Sequence, residues 1–290
     1  MPITKNSTAP YLGIDIGGTN TRVALFPTLA EPQFTLLARF PTQQDYPQQL
    51  DMLLTTLAEQ TQSTLAGVGV SVGGRLAKDG RSVLVAPNLP SYVGQPLADD
   101  LERAFRCPVQ LAHDTVCGLL GEKKFGQISM VDRCAYLTLS TGTGAAFQLR
   151  TGPTTLTVSI EIGHQILDGN TLPCLCGQIG CLETFTGGRQ LELRLGRPVA
   201  GITEPDFWET FSDKLALGLV NLTQLTRVEA IALSGAILLN RPFLLSLLQQ
   251  KVDILLRGAH LHLWQATLGE NAPLVGAALL LETAADSIIH

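Results

Sequence analysis

YLGIDIGGTNTRVALF, residues Tyr11–Phe26, sets out an apolar strand, a glycine-rich turn and a second strand of β-branched and apolar residues. That is a hairpin, not a strand leading into a helix. The distinction excludes two common nucleotide loops: a P-loop needs GxxxxGK followed by Ser or Thr and a helix, and a dinucleotide site needs GxGxxG, and neither pattern is present. What the turn offers is Gly17, Gly18, Thr19 and Asn20, whose backbone N–H groups and hydroxyl can bracket an anion. Asp15 ends the first strand and reads as an unpaired carboxylate able to hold Mg²⁺ through water, with an ordinary turn Asp as the alternative. CAYLTLSTGTGAAFQL, Cys134–Leu149, repeats the pattern around Thr141, Gly142, Thr143 and Gly144. Two such units, each followed by strand and helix material, predict two similar α/β domains with a nucleotide's phosphates held between the two turns.

The bulk properties fit that expectation. A chain of 290 residues suggests one to two domains, and two are expected here. Apolar residues make up 45% and charged residues 16%, enough for buried cores and little sign of disorder. The net charge of −5 disfavours nucleic acid and anionic membrane as partners. Met1–Pro10 is short and polar, and LVGAALLL from Leu274 falls far short of the ~20 apolar residues of a membrane span, so neither export nor membrane insertion is expected. Cys107, Cys117 and Cys134 are scattered, which suits a reducing, cytoplasmic setting better than a disulfide framework.

Between the hairpins, Gln48–Gln62 has helical spacing and Leu65–Leu76 reads as a buried strand ending at Gly73 and Gly74. APNLP, Ala86–Pro90, presents Asn88, either as a turn residue or toward a ligand. Cys107–Gly126 passes from a strand into a helix with His113 and Asp114 at the junction. Asp114 suits an N-cap; in a cleft it also suits a general base. Gln190–Leu195, Phe207–Leu225, Pro242–Leu256 and Leu274–Thr283 read as helices, and Glu229–Asn240 as a strand ending at Ser234-Gly235-Ala236, where low bulk admits a purine, a ribose or a packed helix.

Ser159–Gly188 concentrates metal-type residues. His164, Cys174, Cys176 and Cys181 lie within 18 residues, punctuated by Pro173, Gly177 and Gly180. Three thiols and an imidazole can close on one tetrahedral Zn²⁺; four protein ligands leave no open position, so the metal would be structural. Glu161 and Glu183 flank the cluster, and closing it draws both carboxylates toward one place, an arrangement suited to hydrogen-bonding several hydroxyls.

The order DIGGTNTR, GGRL, PNLP, HDTVCGLLGE, STGTGAAF, EIGH, CLCGQIGCLET and LSGA resembles the ROK family of bacterial sugar kinases and related repressors across essentially the whole chain. Within the family it looks most like the allose-kinase and glucokinase-like branch. The resemblance implies an actin-like ATPase fold, RNase H-like in each of two domains, with ATP in the cleft between them. It implies a small domain over residues 1–113, a large domain over 114–274 carrying the zinc knuckle, and a C-terminal helix at about 275–290 packing back on the first. By the same likeness Asp114 is the catalytic base; Gly74, Asn88, His113, Glu161, His164 and Glu183 contact sugar; the turns at Asp15–Arg22 and Ser140–Phe147 hold phosphates; and Gly235 lies on the adenosine side. His164 would serve both zinc and sugar, and a homodimer is implied. Three departures stand out: His113 replaces a usual Asn, Ile160 a usual Gly, and Ser140, Ala145 and Ala146 occupy positions where Gly is common.

The expected activity is ATP- and Mg²⁺-dependent phosphorylation of a hexose or N-acetylhexosamine hydroxyl, with the 6-hydroxyl the leading acceptor. A sugar-binding regulator, or a sugar-binding protein without turnover, is the alternative. Family regulators add an N-terminal helix-turn-helix of roughly 60–80 residues, and this chain reaches its first strand at Tyr11, which favours the kinase.

Overall fold

A computed structural model describes residues 9–60, 64–258, 260–284 and 287–289. The first hairpin forms as its sequence predicts: β1 (Tyr11–Ile16) and β2 (Asn20–Phe26) pair antiparallel with Ile16 opposite Thr21. β3 (Thr35–Pro41) adds antiparallel to β2, with a register shift between Val23 and Ala24. After α1 (Tyr46–Gln60), strand β4 (Gly67–Val72) lies parallel to β1, and every one of its residues is buried, as a strand covered on both faces requires. Positions 61 and 62 of the expected helix, like Met1–Thr8, lie outside the described residues. A short hairpin of β5 (Arg75–Leu76) and β6 (Val83–Val85) follows, then α2 (Leu97–Phe105), β7 (Val109–His113) parallel to β4, and α3 (Asp114–Phe125). The sheet order is β3-β2-β1-β4-β7.

The second unit repeats this scheme. β8 (Arg133–Leu139), β9 (Thr143–Thr151) and β10 (Thr154–Ile160) form an antiparallel meander. The chain then runs through α4 (Glu183–Thr186), α5 (Gly188–Leu195) and α6 (Pro205–Thr226) to β11 (Ala230–Ser234), buried throughout and parallel to β8. α7 (Ala236–Leu239) and α8 (Phe243–Leu256) lead to β12 (His262–Gln265), parallel to β11. Five strands of its six-stranded sheet run β10-β9-β8-β11-β12, the first unit's order with the same directions. Trp208, Phe211, Leu215, Leu219 and Leu222 repeat at helical spacing on α6 and bury that face in the second core.

The chain divides into one unit ending at Phe125 and resuming at Asn271, and another spanning Gly126–Glu270. The boundary expected at His113/Asp114 therefore falls one helix later. α3 belongs with the first unit because it packs along α9 (Ala272–Leu279), a crossing so close that a β-carbon on Gly276 would stand 1.6 Å from the Cys117 carbonyl oxygen. The helix expected over 275–290 stops earlier: α9 passes into a 3₁₀ turn at Leu280–Glu282 and Thr283 is extended, its hydroxyl donating to the Leu279 carbonyl. Residues 285, 286 and 290 lie outside the described residues.

Candidate active site

In the first unit, the β1–β2 turn is fastened from behind. The Gly17 N–H donates to the Asn20 carbonyl at 3.0 Å, and Thr42 donates through its hydroxyl to the Gly17 carbonyl (2.7 Å) and through its N–H to the Thr19 carbonyl (3.0 Å). Gly18 and Thr19 are exposed, so the surface an anion meets is narrower than the four predicted residues, and the Gly17 amide is spent on the turn. Asn88 closes on the same turn: a β-carbon on Gly18 would lie 3.1 Å from the Asn88 Cβ. Gly74, at φ +143°, is fixed by its surroundings, since a β-carbon there would lie 2.6 Å from the Val85 carbonyl oxygen.

Asp15 is not the unpaired carboxylate that the sequence suggested. The β1–β2 register sets it opposite Arg22, whose Nη2 reaches Oδ2 at 2.8 Å, while the Ser71 hydroxyl donates to Oδ1 at 2.8 Å. Burial pushes its pKa up, against the pull of Arg22 and Ser71. The expectation of an unpaired carboxylate is therefore corrected; one donor group on each oxygen leaves lone pairs for water but no free carboxylate to ligate a cation directly.

Asp114 is different. It opens α3 directly after β7, and its side chain is 35% exposed although Oδ1 is buried. His113 Nδ1 lies 2.8 Å from that oxygen, but the same nitrogen accepts the Thr115 N–H at 3.2 Å and contacts the Thr115 hydroxyl at 2.7 Å. No hydrogen bond of good geometry reaches Oδ1, and the imidazole beside it acts on the carboxylate through its charge when protonated. Oδ2 lies on the side of Gly73, 4.0 Å from where a β-carbon on that residue would stand. Burial raises the carboxyl pKa, but the His113 ring and the Thr115 amide outweigh it and hold the group below the ordinary Asp value.

In the second unit, Ser140–Gly142 link β8 to β9, and Thr141 is exposed. Thr143, predicted to face a nucleotide, is buried instead: its N–H donates to Glu183 Oε2 at 2.7 Å and its hydroxyl meets that of Thr186 at 2.8 Å. It frames the turn because it opens β9 with both donors turned toward α4. Gly144 follows it within the strand. Gly235 packs directly beneath, at φ +91°, with room for no β-carbon: one would stand 2.3 Å from the Leu139 carbonyl oxygen. Ala145 and Ala146 are fully buried within β9, so their methyls are taken up by the core.

The metal-type residues gather as the spacing predicts. The donor atoms of His164, Cys174, Cys176 and Cys181 all lie within 4.8 Å of one another, with Cys176 Sγ 3.7 Å from Cys181 Sγ and Cys174 Sγ 3.8 Å from His164 Nδ1. A tetrahedral site with Zn–S bonds of ~2.3 Å has S···S edges of ~3.8 Å, so the set fits zinc with side-chain shifts of about an ångström or less. Gly177 (φ +92°) and Gly180 (φ +89°) make the turns that splay the CxC pair. Burial, then the neighbouring thiols, push Cys181 up to about 12, and burial also raises Cys174; a bound cation would reverse that cost. Gln190, not anticipated from the sequence, is buried and donates through Nε2 to Cys174 Sγ at 3.1 Å. His164 turns Nδ1 to the thiols, leaving Nε2 for another partner. Glu161 is exposed at the head of the 3₁₀ turn Ile162–His164, and Glu183 Oε2 lies 3.1 Å from where a Gly163 β-carbon would be.

The chain is similar to known proteins over most of its length. The ROK family model matches residues 11–284. A xylose repressor of Caldicellulosiruptor bescii is 31% identical over 62% of this chain, which spans about half (47%) of that protein's length. An N-acetyl-D-glucosamine kinase of Yersinia pseudotuberculosis serotype O:1b is 29% identical, covering 93% of this chain and 98% of the relative. Among solved structures, a Streptomyces griseus ROK glucokinase in complex with glucose and AMPPNP superposes with a TM-score of 0.76 at 24% identity, covering 94% of this chain and 99% of that one. The repeated strand order is that of the actin-like ATPase fold. Among the described residues, no helix is long and apolar enough to cross a membrane.

Proposed function

This chain belongs to the ROK family, and from that premise we propose that it transfers the γ-phosphoryl group of ATP to a hydroxyl, the 6-hydroxyl, of a hexose or N-acetylhexosamine. The observation that carries the reading is Asp114, a carboxylate held below its ordinary pKa at a helix start with a buried oxygen that has no hydrogen bond. Ionised at neutral pH and unsatisfied within the fold, it accepts the proton as the sugar oxygen attacks phosphorus in line. Gly74, Asn88, His113, Glu161, His164 and Glu183 are the proposed contacts to the sugar hydroxyls. The exposed turn residues Gly18, Thr19 and Thr141, with Gly142 and Gly144, hold phosphate oxygens through backbone donors, and Gly235 is the proposed adenosine-side residue.

Magnesium neutralises phosphate charge when bound, and Asp15, held by Arg22 and Ser71, would reach it only through water. Zinc held by His164, Cys174, Cys176 and Cys181 is structural. The kinase of similar length supports the activity; the proposed setting is a cytoplasmic homodimer, which light scattering would find at twice the 31.0 kDa chain mass. The xylose repressor likeness favours a second reading, a sugar-responsive regulator. An ADP-release assay over a panel of hexoses and N-acetylhexosamines separates the two: sugar-dependent ADP release is expected, and sugar binding with no ADP release would overturn the kinase.

A further inference from the structure

Glu183 lies two residues beyond a cluster thiol, yet one of its carboxylate oxygens is directed at the β8–β9 turn. Oε2 accepts the Thr143 N–H at 2.7 Å, and a β-carbon on Gly142 would stand 2.8 Å from that oxygen, so the carboxylate is seated against the turn. The residues that follow continue the attachment: Thr186 meets the Thr143 hydroxyl, the Gly188 N–H donates to the Ser140 carbonyl and the Arg189 N–H to the Thr141 carbonyl, each at 2.8–2.9 Å. On the other side, the Leu182 N–H donates to the Gln165 carbonyl, next to His164. One continuous stretch thus carries the last cysteine of the cluster and the principal fasteners of the turn.

We propose that Glu183 is a positioning residue for the Ser140–Thr143 turn, and that metal occupancy of the His164/Cys174/Cys176/Cys181 cluster, acting through it, sets how firmly the chain holds a nucleotide. The nucleotide part rests on the kinase reading above; the mechanical part does not. With the metal bound, Cys181 is fixed, the start of α4 is fixed with it, and the carboxylate meets the Thr143 amide. Without it, Cys181 is released, and the turn loses an acceptor that only a correctly placed α4 supplies. A role confined to sugar contact would give Glu183 no influence on the turn when sugar is absent.

The test uses the full chain without sugar, in four forms: zinc-loaded wild type, chelator-treated wild type, E183Q and E183A. Amide hydrogen exchange at Thr143 is read together with calorimetric affinity for magnesium ADP. Loss of a hydrogen bond to a charged acceptor predicts exchange at Thr143 about tenfold faster in E183A and in the chelated protein, with weaker ADP binding in both. Chelating E183A should add little, because both changes break the same connection. E183Q retains an acceptor oxygen but not its charge and should fall between wild type and E183A, and the chelated wild type keeps the test valid if E183A folds poorly. Unchanged Thr143 exchange in both E183A and chelated protein would overturn the proposal. A wild type whose exchange responds as expected but which binds no ADP would leave the mechanical coupling standing and overturn the kinase reading.

Discussion

Asp114 concentrates the chemistry proposed for this chain, and its neighbours define what substitutions there should do. Changing Asp114 to Asn keeps the shape and removes the proton acceptor; kcat should fall by roughly 10²–10⁴, the usual range for a lost general base, while calorimetry should find sugar affinity little altered. Near-normal turnover would remove Asp114 from the mechanism. His113 gives a sharper experiment. Burial raises the Asp114 pKa, and His113 is the leading influence that lowers it. Substituting His113→Asn removes the lowering influence and leaves the burial, so the Asp114 pKa rises. Because the base works only when ionised, the acid limb of the kcat/KM profile should move to higher pH in H113N. A limb that stays in place, or moves down, would show that the imidazole does not set the charge of the base.

At the level of elements, the hairpin from Leu172 to Cys181 has little apolar burial to hold it, so its order should depend on metal. Leu175 and Ile179 are 58% and 63% exposed, and the thiols pack with no disulfide between them. A strong chelator should lower the thermal midpoint, C181S should do the same without chelator, and C107S, away from the cluster, should do neither; a midpoint indifferent to chelation would exclude structural metal. Gln190 offers a finer probe. Its N–H···S contact orients Cys174, and outer-sphere partners of this kind are worth about tenfold or more in metal affinity. Competition with a chromophoric chelator should therefore find weaker zinc binding in Q190A, with the overall fold intact by circular dichroism.

The molecule as a whole is built on one strand order used twice, but the first unit is not continuous in sequence: it is completed by α9, which follows the second unit. A β-carbon on Gly69 would stand 1.7 Å from the Ala277 carbonyl oxygen, so β4 and α9 are in backbone contact. A chain truncated after Glu270 should consequently lose the first unit, seen as early proteolysis within residues 9–125, while Gly126–Glu270 resists longer. G276A should act in the same direction with less severity, since its β-carbon has no space against Cys117. Equal protease resistance of both units after truncation would show that the first unit does not need α9.

Much of this was legible before any coordinates. The two hairpins, the buried strands β4 and β11 and the spacing of the Cys/His cluster are local patterns, in which strand pleat, turn residues and short ligand spacing leave few alternatives. The contacts that define the chemistry are of another kind. Asp15 meets Arg22 and Ser71, Glu183 meets Thr143, Gln190 meets Cys174, and α3 joins α9 instead of opening the second unit. No periodicity announces such pairs, because a hydrogen bond is decided by tenths of an ångström between side chains that strand register and helix packing bring together. Composition and pattern name the donors, acceptors and ligands; which of them are already satisfied, and which remain open to a substrate, depends on distances that exist only once the sheets have closed.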